Sequence, residues 1–245
     1  MGNKGPTRHL KRHQSPNLWP IPRKTGKWAI RTSPGPHKLE NSIPITILLR
    51  NELGYAETAK EAKIIVKEAK VLVDGKIRWD EKFPLGLMDV LSLPLLGEHY
   101  RVLPDHGGKL KLLRIDEGEA KRKLCKITGK STLKGGNTQL NLHDGKNLFI
   151  EAEQDRYNVD DVIVISLPEK EIQDHIEFKE MQQAIIIGGK SQGAQGLLIG
   201  FGPEPGWKKT ATLRTPEGED IRTLADYVFV VGTNTPVIKL NEGEE

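Results

Sequence analysis

Basic side chains dominate the first 38 residues of the chain, and their chemistry suits contact with phosphates. This segment carries nine Lys and Arg residues and no Asp or Glu, so its formal charge is +9. The rest of the chain carries 28 basic and 33 acidic residues, a balance of −5, so the net charge of +4 conceals a strong segregation. Residues 140–185 alone reach −7, with 4 basic and 11 acidic side chains. A basic arm on a near-neutral body predicts a polyanionic partner.

Aromatic and imidazole side chains accompany the cations of this arm. Six prolines argue against a continuous helix, and therefore against a mitochondrial presequence. A solvated tail is the alternative, but Trp19 and Trp28 favour an extended segment that becomes ordered on a surface. Lys and Arg would neutralise phosphates there, while Trp and His would stack on bases or pack on the body. The candidate RNA contacts of the arm are Lys4, Arg8, His9, Lys11, Arg12, Trp19, Arg23, Lys24, Lys27, Arg31, His37 and Lys38.

Other chemistries have little support in the sequence. His9 and His13 have the spacing of a metal-binding pair, but basic residues surround them and no third ligand is near, so phosphate contact is the better interpretation. Cys125 is the single cysteine, which excludes a disulfide framework and any zinc site with two Cys ligands. We expect this thiol to be buried and structural. The strings GxSxG, HExxH, CxxC and GxGxxG are absent. No apolar run approaches the ~18 residues of a membrane helix, and no secretory apolar region is present.

The segment after the arm has the pattern of two short helices and a hairpin. Residues 43–54 place apolar side chains at helical spacing and end at a glycine. Thr58 and Glu61 then form a capping-box pattern at the start of a second helix. Asp74-Gly75 is a strong hairpin signal between two short apolar runs. The basic residues that this pattern places on an exposed face, and that we take as candidate RNA contacts, are Arg50, Lys60, Lys63 and Lys67.

This unit resembles the RNA-binding domain named after small-subunit ribosomal protein four. The resemblance lies in Leu53-Gly-Tyr-Ala56, in Ala59-Lys-Glu-Ala62 and in Val71-Leu-Val-Asp-Gly75. It implies that the lysine face of the second helix follows an RNA backbone. Without the resemblance, a solvated lysine face on a small helical domain is about equally consistent with the residues.

Residues 95–174 are predicted to be rich in β-strands. Short apolar runs alternate with turn signals such as Lys134-Gly-Gly-Asn137 and Asp144-Gly-Lys146. Between them, Glu117–Ile127 has a pattern compatible with a helix and carries a basic cluster. This cluster is either a second RNA contact or a solvated face, and its candidate residues are Lys121, Arg122 and Lys123.

A glycine-rich run near the C-terminus, residues 183–202, has two competing interpretations. Gly189-Lys-Ser191 matches the end of a phosphate-binding loop, but the position five before Gly189 is Ala184, and the run leads into a strand rather than a helix. The run instead resembles a KOW motif, a strand, turn and return strand within a small barrel. This resemblance makes Lys190 a further candidate RNA contact, although the pattern is loose over this stretch.

The whole chain resembles the S-four-e family of small-subunit ribosomal proteins from archaea and eukaryotes. The resemblance lies in His9-Leu-Lys-Arg12 followed by Trp19, in Ser33-Pro-Gly-Pro-His-Lys-Leu39 and in Gly86-Leu-Met-Asp-Val90. The short acidic end looks archaeal. The resemblance implies a cytoplasmic, ribosome-bound protein whose partners are small-subunit ribosomal RNA and neighbouring ribosomal proteins. It implies no catalytic residue, cofactor, metal, membrane or small-molecule substrate.

The predicted fold class is α+β and multidomain. We expect a basic extended arm over residues 1–42, a small αα-β RNA-binding domain over 43–94, a central β-rich domain over 95–174, and an SH3-like (KOW) β-barrel over 175–245. The predicted function is that of a structural ribosomal protein that binds ribosomal RNA and supports subunit assembly and translation. The alternative is an RNA-acting enzyme or regulatory factor built from the same modules.

Overall fold

A computed structural model describes residues 9–203, 209–233 and 235–241. Within these residues the fold is mostly β, with few and short helices. Three five-stranded antiparallel sheets follow one another along the chain, and two-stranded ribbons accompany the first of them. The predicted mixture of strands and short helices is therefore present, although strands outweigh helices more than an α+β class suggests.

The N-terminal arm folds back on itself over residues 10–29. Leu10 pairs with Ala29 and Lys11 pairs with Trp28 in an antiparallel ribbon. The strands of this ribbon are β1 (Leu10–Lys11) and β2 (Trp28–Ala29). The arm is thus a closed loop over this stretch, which corrects the expectation of an extended segment.

The predicted helices of the next segment are present. The first begins at Ile45, continues as a π-helical turn and ends before Gly54, whose φ of +69° suits a helix stop. The second is capped by Thr58, which accepts from the Glu61 amide while the Glu61 side chain reaches back to the Thr58 amide. The helices are α1 (Ile45–Ile47), with its π-helical extension Leu48–Glu52, and α2 (Ala59–Lys67).

The first sheet has the strand order β5-β4-β7-β8-β9. Its hairpin at Asp74-Gly75 has positive φ at both residues, 52° and 72°, as a two-residue turn requires. Beside the sheet lies a ribbon of β3 and β6. The strands are β3 (Ser42–Pro44), β4 (Leu72–Val73), β5 (Lys76–Ile77), β6 (Pro84–Gly86), β7 (Val90–Leu93), β8 (Glu98–Asp105) and β9 (Lys109–Ile115).

The central sheet has the order β12-β11-β10-β13-β14. A single helical turn, α3 (Glu117–Ala120), precedes it. The predicted helix over Glu117–Ile127 is therefore wrong beyond Ala120, because the following residues form the longest strand of this sheet. The strands are β10 (Arg122–Thr132), β11 (Thr138–Leu142), β12 (Asn147–Ile150), β13 (Val162–Ser166) and β14 (Ile172–Ile176).

The C-terminal sheet has the order β18-β17-β16-β15-β19. The predicted strand, glycine-rich turn and return strand of residues 183–202 are confirmed as β15 and β16, which pair antiparallel. The barrel remains a prediction. The strands are β15 (Gln183–Ile186), β16 (Gln195–Pro203), β17 (Lys209–Arg214), β18 (Asp220–Leu224) and β19 (Val228–Gly232).

The strand pairing crosses two of the predicted domain boundaries. β7 and β8 are hydrogen-bonded neighbours on either side of residue 94, and residue 174 lies inside β14. The strands up to Ile115 therefore belong with the helical segment rather than with the central sheet. The three sheets also share a hydrophobic core, in which Leu103, Leu124 and Phe229 are fully buried.

Candidate nucleic-acid interface

Trp19 attaches the basic arm to the body. Its side chain is only 3% exposed and packs in the same core as Ile43 and Leu49. Its indole Nε1 donates to the Ser42 carbonyl oxygen at 2.6 Å. A ring in this position is closed to an RNA base. The predicted base contact through Trp19 is therefore wrong, and the alternative for an arm tryptophan, packing on the body, is the one observed.

Two arginines brace the closed loop of the arm. Arg12 donates through Nη1 to the Pro22 carbonyl at 2.9 Å. Arg23 donates through Nη1 to the Ser15 carbonyl at 2.7 Å, and through Nη2 to the Asn17 side chain at 2.8 Å. These guanidinium donors satisfy carbonyls of a segment whose prolines and turns leave them without strand partners. Both arginines were predicted as RNA contacts, and here they hold the arm in shape.

His37, at the end of the arm, also turns inward. Its side chain is 5% exposed, and its Nε2 lies 3.0 Å from Oδ2 of the buried Asp89. Gly86 makes room for the ring, because a Cβ on this glycine would lie 2.3 Å from the imidazole. The predicted RNA contact through His37 is wrong for this reason, since the ring is enclosed by the body.

Lys123 lies at the centre of a buried ionic cluster. Its ammonium is fully buried and lies 2.5 Å from Asp89, 2.7 Å from Asp74 and 3.1 Å from Asp144. Lys146 joins the cluster, with contacts of 2.7 Å to Asp74 and 2.8 Å to Asp144. The cluster thus joins the first hairpin, the loop at residue 89, which His37 of the arm contacts, and the central sheet. The predicted RNA contact through Lys123 is wrong, because no part of this side chain reaches solvent.

The alternation of a β-strand explains how Lys123 becomes buried. Successive side chains of β10 point to opposite faces, and the strand is covered on both faces from Lys123 to Ile127.

Burial by itself would lower the pKa of Lys123, but the aspartates raise it well above its ordinary value. Burial would likewise raise the pKa of Asp89, but Lys123 and His37 hold it well below its usual range. The charged forms of Lys123 and Asp89 therefore stabilise each other in the buried cluster.

His143 is a buried imidazole beside this ionic cluster. Its Nδ1 accepts from the Lys126 amide at 3.2 Å, and its Nε2 lies 3.1 Å from the Leu87 carbonyl oxygen, which assigns the proton to Nε2. Burial, with Lys123 nearby, lowers the pKa of His143 to about 4. The unfolded chain would bind this proton near pH 6.5.

Acidification should therefore destabilise the protein through His143. Because the folded pKa lies below the unfolded one, stability is lost as the pH falls from about 6.5 towards 4. We expect ~1–2 kcal/mol less unfolding free energy at pH 5 than at pH 7 from this residue. Urea unfolding of the protein and of a His143→Gln variant at both pH values checks this. An equal pH dependence in both proteins would contradict it.

The remaining candidate cations are mostly exposed, as contact with RNA requires. Arg31 and Arg50 are half-buried, and Lys4 and Arg8 lie outside the described residues. His9 is exposed on the arm. The exposed candidates are Lys11, Lys24, Lys27, Lys38, Lys60, Lys63, Lys67, Lys121, Arg122 and Lys190.

The arm and the first helix present their cations side by side. Burial and the neighbouring Arg12 both lower the pKa of Arg50, so the two guanidinium groups share one electrostatic environment. On α2, Ala62 and Val66 face the core while Lys60 and Lys67 face solvent. Among the described residues, no carboxylate forms an ion pair with either of these lysines. These cations are therefore available to an external anion.

Sequence reasoning missed two residues of this surface. Trp28 is 50% exposed, whereas the predicted contacts contain the buried Trp19 in its place. Lys82 is exposed. It lies beside the arm, because its carbonyl oxygen accepts a hydrogen bond from the Ser33 amide at 2.9 Å. The basic residues near Trp28 in the sequence, Lys27 and Arg31, could have indicated that Trp28 belongs to the RNA-binding surface. No sequence pattern indicated Lys82, because its place beside the arm depends on a contact between residues 49 positions apart.

Relatives match this chain over nearly its whole length, and two family models match parts of it. The model of the RS4NT (NUC023) domain matches residues 4–40, and the model described as ribosomal family S4e matches residues 96–172. The small ribosomal subunit protein eS4 of Methanocaldococcus jannaschii is 46% identical over 98% of this chain and 100% of its own length. That of Methanococcus aeolicus is 45% identical over the same shares.

This chain belongs to the S4e family of ribosomal proteins. The predicted resemblance to that family is therefore confirmed, and so is the prediction that the chain is not an enzyme, because S4e proteins are structural ribosomal proteins. The crystal structure of the 30S ribosomal protein S4e from Thermoplasma acidophilum matches with a TM-score of 0.67 and 28% identity, over 79% of this chain and 96% of that one. The S4e fold thus accounts for the succession of sheets.

The single cysteine of this S4e chain is closed to solvent. Cys125 is buried, and burial raises the pKa of its thiol far above the ordinary value, as expected for a structural cysteine. Within the described ranges, no group of three or more His, Cys, Asp or Glu side chains is arranged to hold a metal ion. In the same part of the chain, no helix is long and apolar enough to cross a membrane.

Proposed function

We propose that this chain is a structural component of the small ribosomal subunit and binds ribosomal RNA through its arm and the lysine face of α2. The relatives from Methanocaldococcus and Methanococcus are named small ribosomal subunit proteins. The observation that carries the proposal is the set of exposed cations on the arm and on α2, among which Lys11, Lys24, Lys27, Lys38, Lys60 and Lys67 have no carboxylate partner among the described residues. Lys63 differs, since it contacts Glu81 at 3.6 Å. Phosphates would supply the missing counter-charge and release condensed counterions on binding.

The shape of the arm supports the same proposal. Trp19 and the two bracing arginines fix the loop before RNA is present, so little ordering entropy would be lost on binding. Folded RNA displays phosphates and riboses more than base edges, and a fixed basic surface suits recognition by shape. The protein would thereby support assembly of the subunit and translation, in the cytoplasm where the ribosome acts.

The opposite charge of residues 140–185 suggests a different neighbour. This stretch would be repelled by phosphates, so we place it away from the RNA. Phe149 is 71% exposed on the edge strand β12 of this region. Such an edge with an exposed aromatic suits contact with a neighbouring ribosomal protein.

Co-sedimentation tests the proposed function. Cell extract of the source organism, with the protein tagged at its C-terminus, is separated on sucrose gradients at high salt. We expect the protein at one copy per small subunit, because many phosphate contacts and a fixed arm should survive partial screening. Recovery mainly in ribosome-free fractions would instead support the alternative of a regulatory RNA-binding factor.

A further inference from the structure

Trp28 is the exposed aromatic ring of the arm. It lies in β2 opposite Lys11, while its neighbour Ala29 packs towards the core opposite Leu10. Strand alternation therefore directs the indole outward, and the paired backbone holds it there. Half of the residue is exposed, although burial of a tryptophan is strongly favourable. An outward ring on a fixed backbone is the arrangement of a stacking platform.

An imidazole and three cations lie near this ring, beside the apolar residues Leu10, Ala29 and Ile30. The imidazole of His9 lies 5.5 Å from the indole, with an angle of 52° between the rings. The Lys27 ammonium lies 5.2 Å from the ring centroid. Together with Arg31 and Lys82, His9 and Trp28 line a cavity of about 220 Å³. This lining offers a flat π-surface and positive charge at one place.

A second and larger cavity adjoins the first. It has a volume of about 590 Å³, and both cavities share Arg31 and Lys82 in their walls. Lys38 adds a third cation to this larger cavity. Among the residues that the structure describes, no carboxylate forms an ion pair with any of these three side chains. A nucleotide with its base in the smaller cavity would therefore have its phosphate within reach of the wall that the two cavities share.

We propose that this double cavity binds an unpaired RNA nucleotide, with its base stacked on Trp28 and its phosphate held by Arg31 and Lys82. This proposal rests on the proposed function and specifies one site of it. A base inside a duplex is already stacked on both faces, so the ring of Trp28 selects a base that is free of pairing. In the part of the chain that the structure describes, these three cations have no carboxylate partner and no acidic residue lines either cavity, which favours a nucleic acid over a protein partner.

Fluorescence anisotropy with the full chain tests the nucleotide site. The probes are a short fluorescein-labelled oligoadenylate and an RNA duplex of the same length, both at low salt. Trp28→Ala should weaken binding of the oligoadenylate by about 5- to 150-fold, which is the range for loss of one base stack. Trp28→Phe should retain most of the affinity, and binding of the duplex should not change. Trp79→Ala is the matched control, because Trp79 is also exposed, at 54%, but lies outside both cavities.

The outcomes separate this proposal from the proposed function. Equal loss for oligoadenylate and duplex in Trp28→Ala would overturn stacking, since a stack is specific to unpaired bases. Unchanged affinity in Trp28→Ala would overturn it as well, as would failure of the wild-type chain to bind oligoadenylate. In each of these cases, co-sedimentation with small subunits would still support the ribosomal role. Loss of both oligoadenylate binding and co-sedimentation in the wild-type chain would contradict the two proposals together.

Discussion

Replacement of Lys123 by Met should lower the free energy of unfolding by about 3–5 kcal/mol, because it leaves a buried carboxylate without its counter-charge. Lys146 would still neutralise much of the charge on Asp74 and Asp144, which it contacts directly. Asp89 would retain only His37 and the Gly86 amide, which donates to its Oδ2 at 2.9 Å. Since Asp89 is almost completely buried, water cannot replace the ammonium.

Chemical unfolding at pH 7 measures this effect. Lys121→Met is the matched control, because Lys121 lies two residues away, is exposed and, among the described residues, pairs only with the exposed Glu117. Its loss should cost less than about 0.5 kcal/mol. Asp89→Asn should restore part of the stability of Lys123→Met, since it removes the unpaired charge. A cost for Lys123→Met as small as that of the control would show that the cluster contributes little.

The pH dependence of the Lys123→Met variant follows from the same cluster. The pKa of Asp89 is held low by Lys123 and His37 against the effect of burial, so removal of the ammonium should raise it. As the pH falls below about 4, the carboxyl group becomes neutral and the penalty disappears. The difference in stability between wild type and variant should therefore narrow on acidification.

Loss of four exposed arm cations should flatten the salt dependence of RNA binding. The variant changes Lys11, Lys24, Lys27 and Lys38 to Gln, and each of these side chains is exposed without a carboxylate partner among the described residues. If all four meet phosphates, the slope of log affinity against log salt should fall by roughly 3 to 4, at about 0.7–0.9 per contact. Deletion of residues 1–38 is a poorer test, because it would also remove the buried Trp19 from the core.

Titration of small-subunit ribosomal RNA at several salt concentrations measures the slope. The matched control changes four exposed lysines of the body, and these are Lys76, Lys109, Lys134 and Lys209. Both variants lose the same net charge, so a general electrostatic effect would alter both slopes equally. A larger decrease for the arm variant supports direct phosphate contacts, and equal decreases would contradict them.

Local patterns in the sequence determined much of the fold. The capping box at Thr58 and Glu61, the hairpin at Asp74-Gly75 and the strand–turn–strand of residues 183–202 all depend on neighbouring residues, and all are present. The helix considered for Glu117–Ile127 is present only up to Ala120, because the apolar and basic residues that follow fit a strand period as well as a helical one. Pairing of β10 with β13 decided the conformation there, and that pairing joins residues far apart in the chain, such as Arg122 and Ser166.

Charge segregation, the absence of enzyme motifs and the S4e resemblance were likewise determined by the sequence alone. The sequence alone did not determine the role of each individual side chain. Trp19 and Trp28 have the same chemistry in the same basic arm, yet one is buried and the other is half-exposed. Lys121 and Lys123 differ in the same way. Only the tertiary structure decided which residue of each pair is buried, because burial depends on the distant residues that cover a side chain. For Lys123, the turns near residues 74, 89 and 144 supply that cover, and His37 of the arm packs against the same cluster.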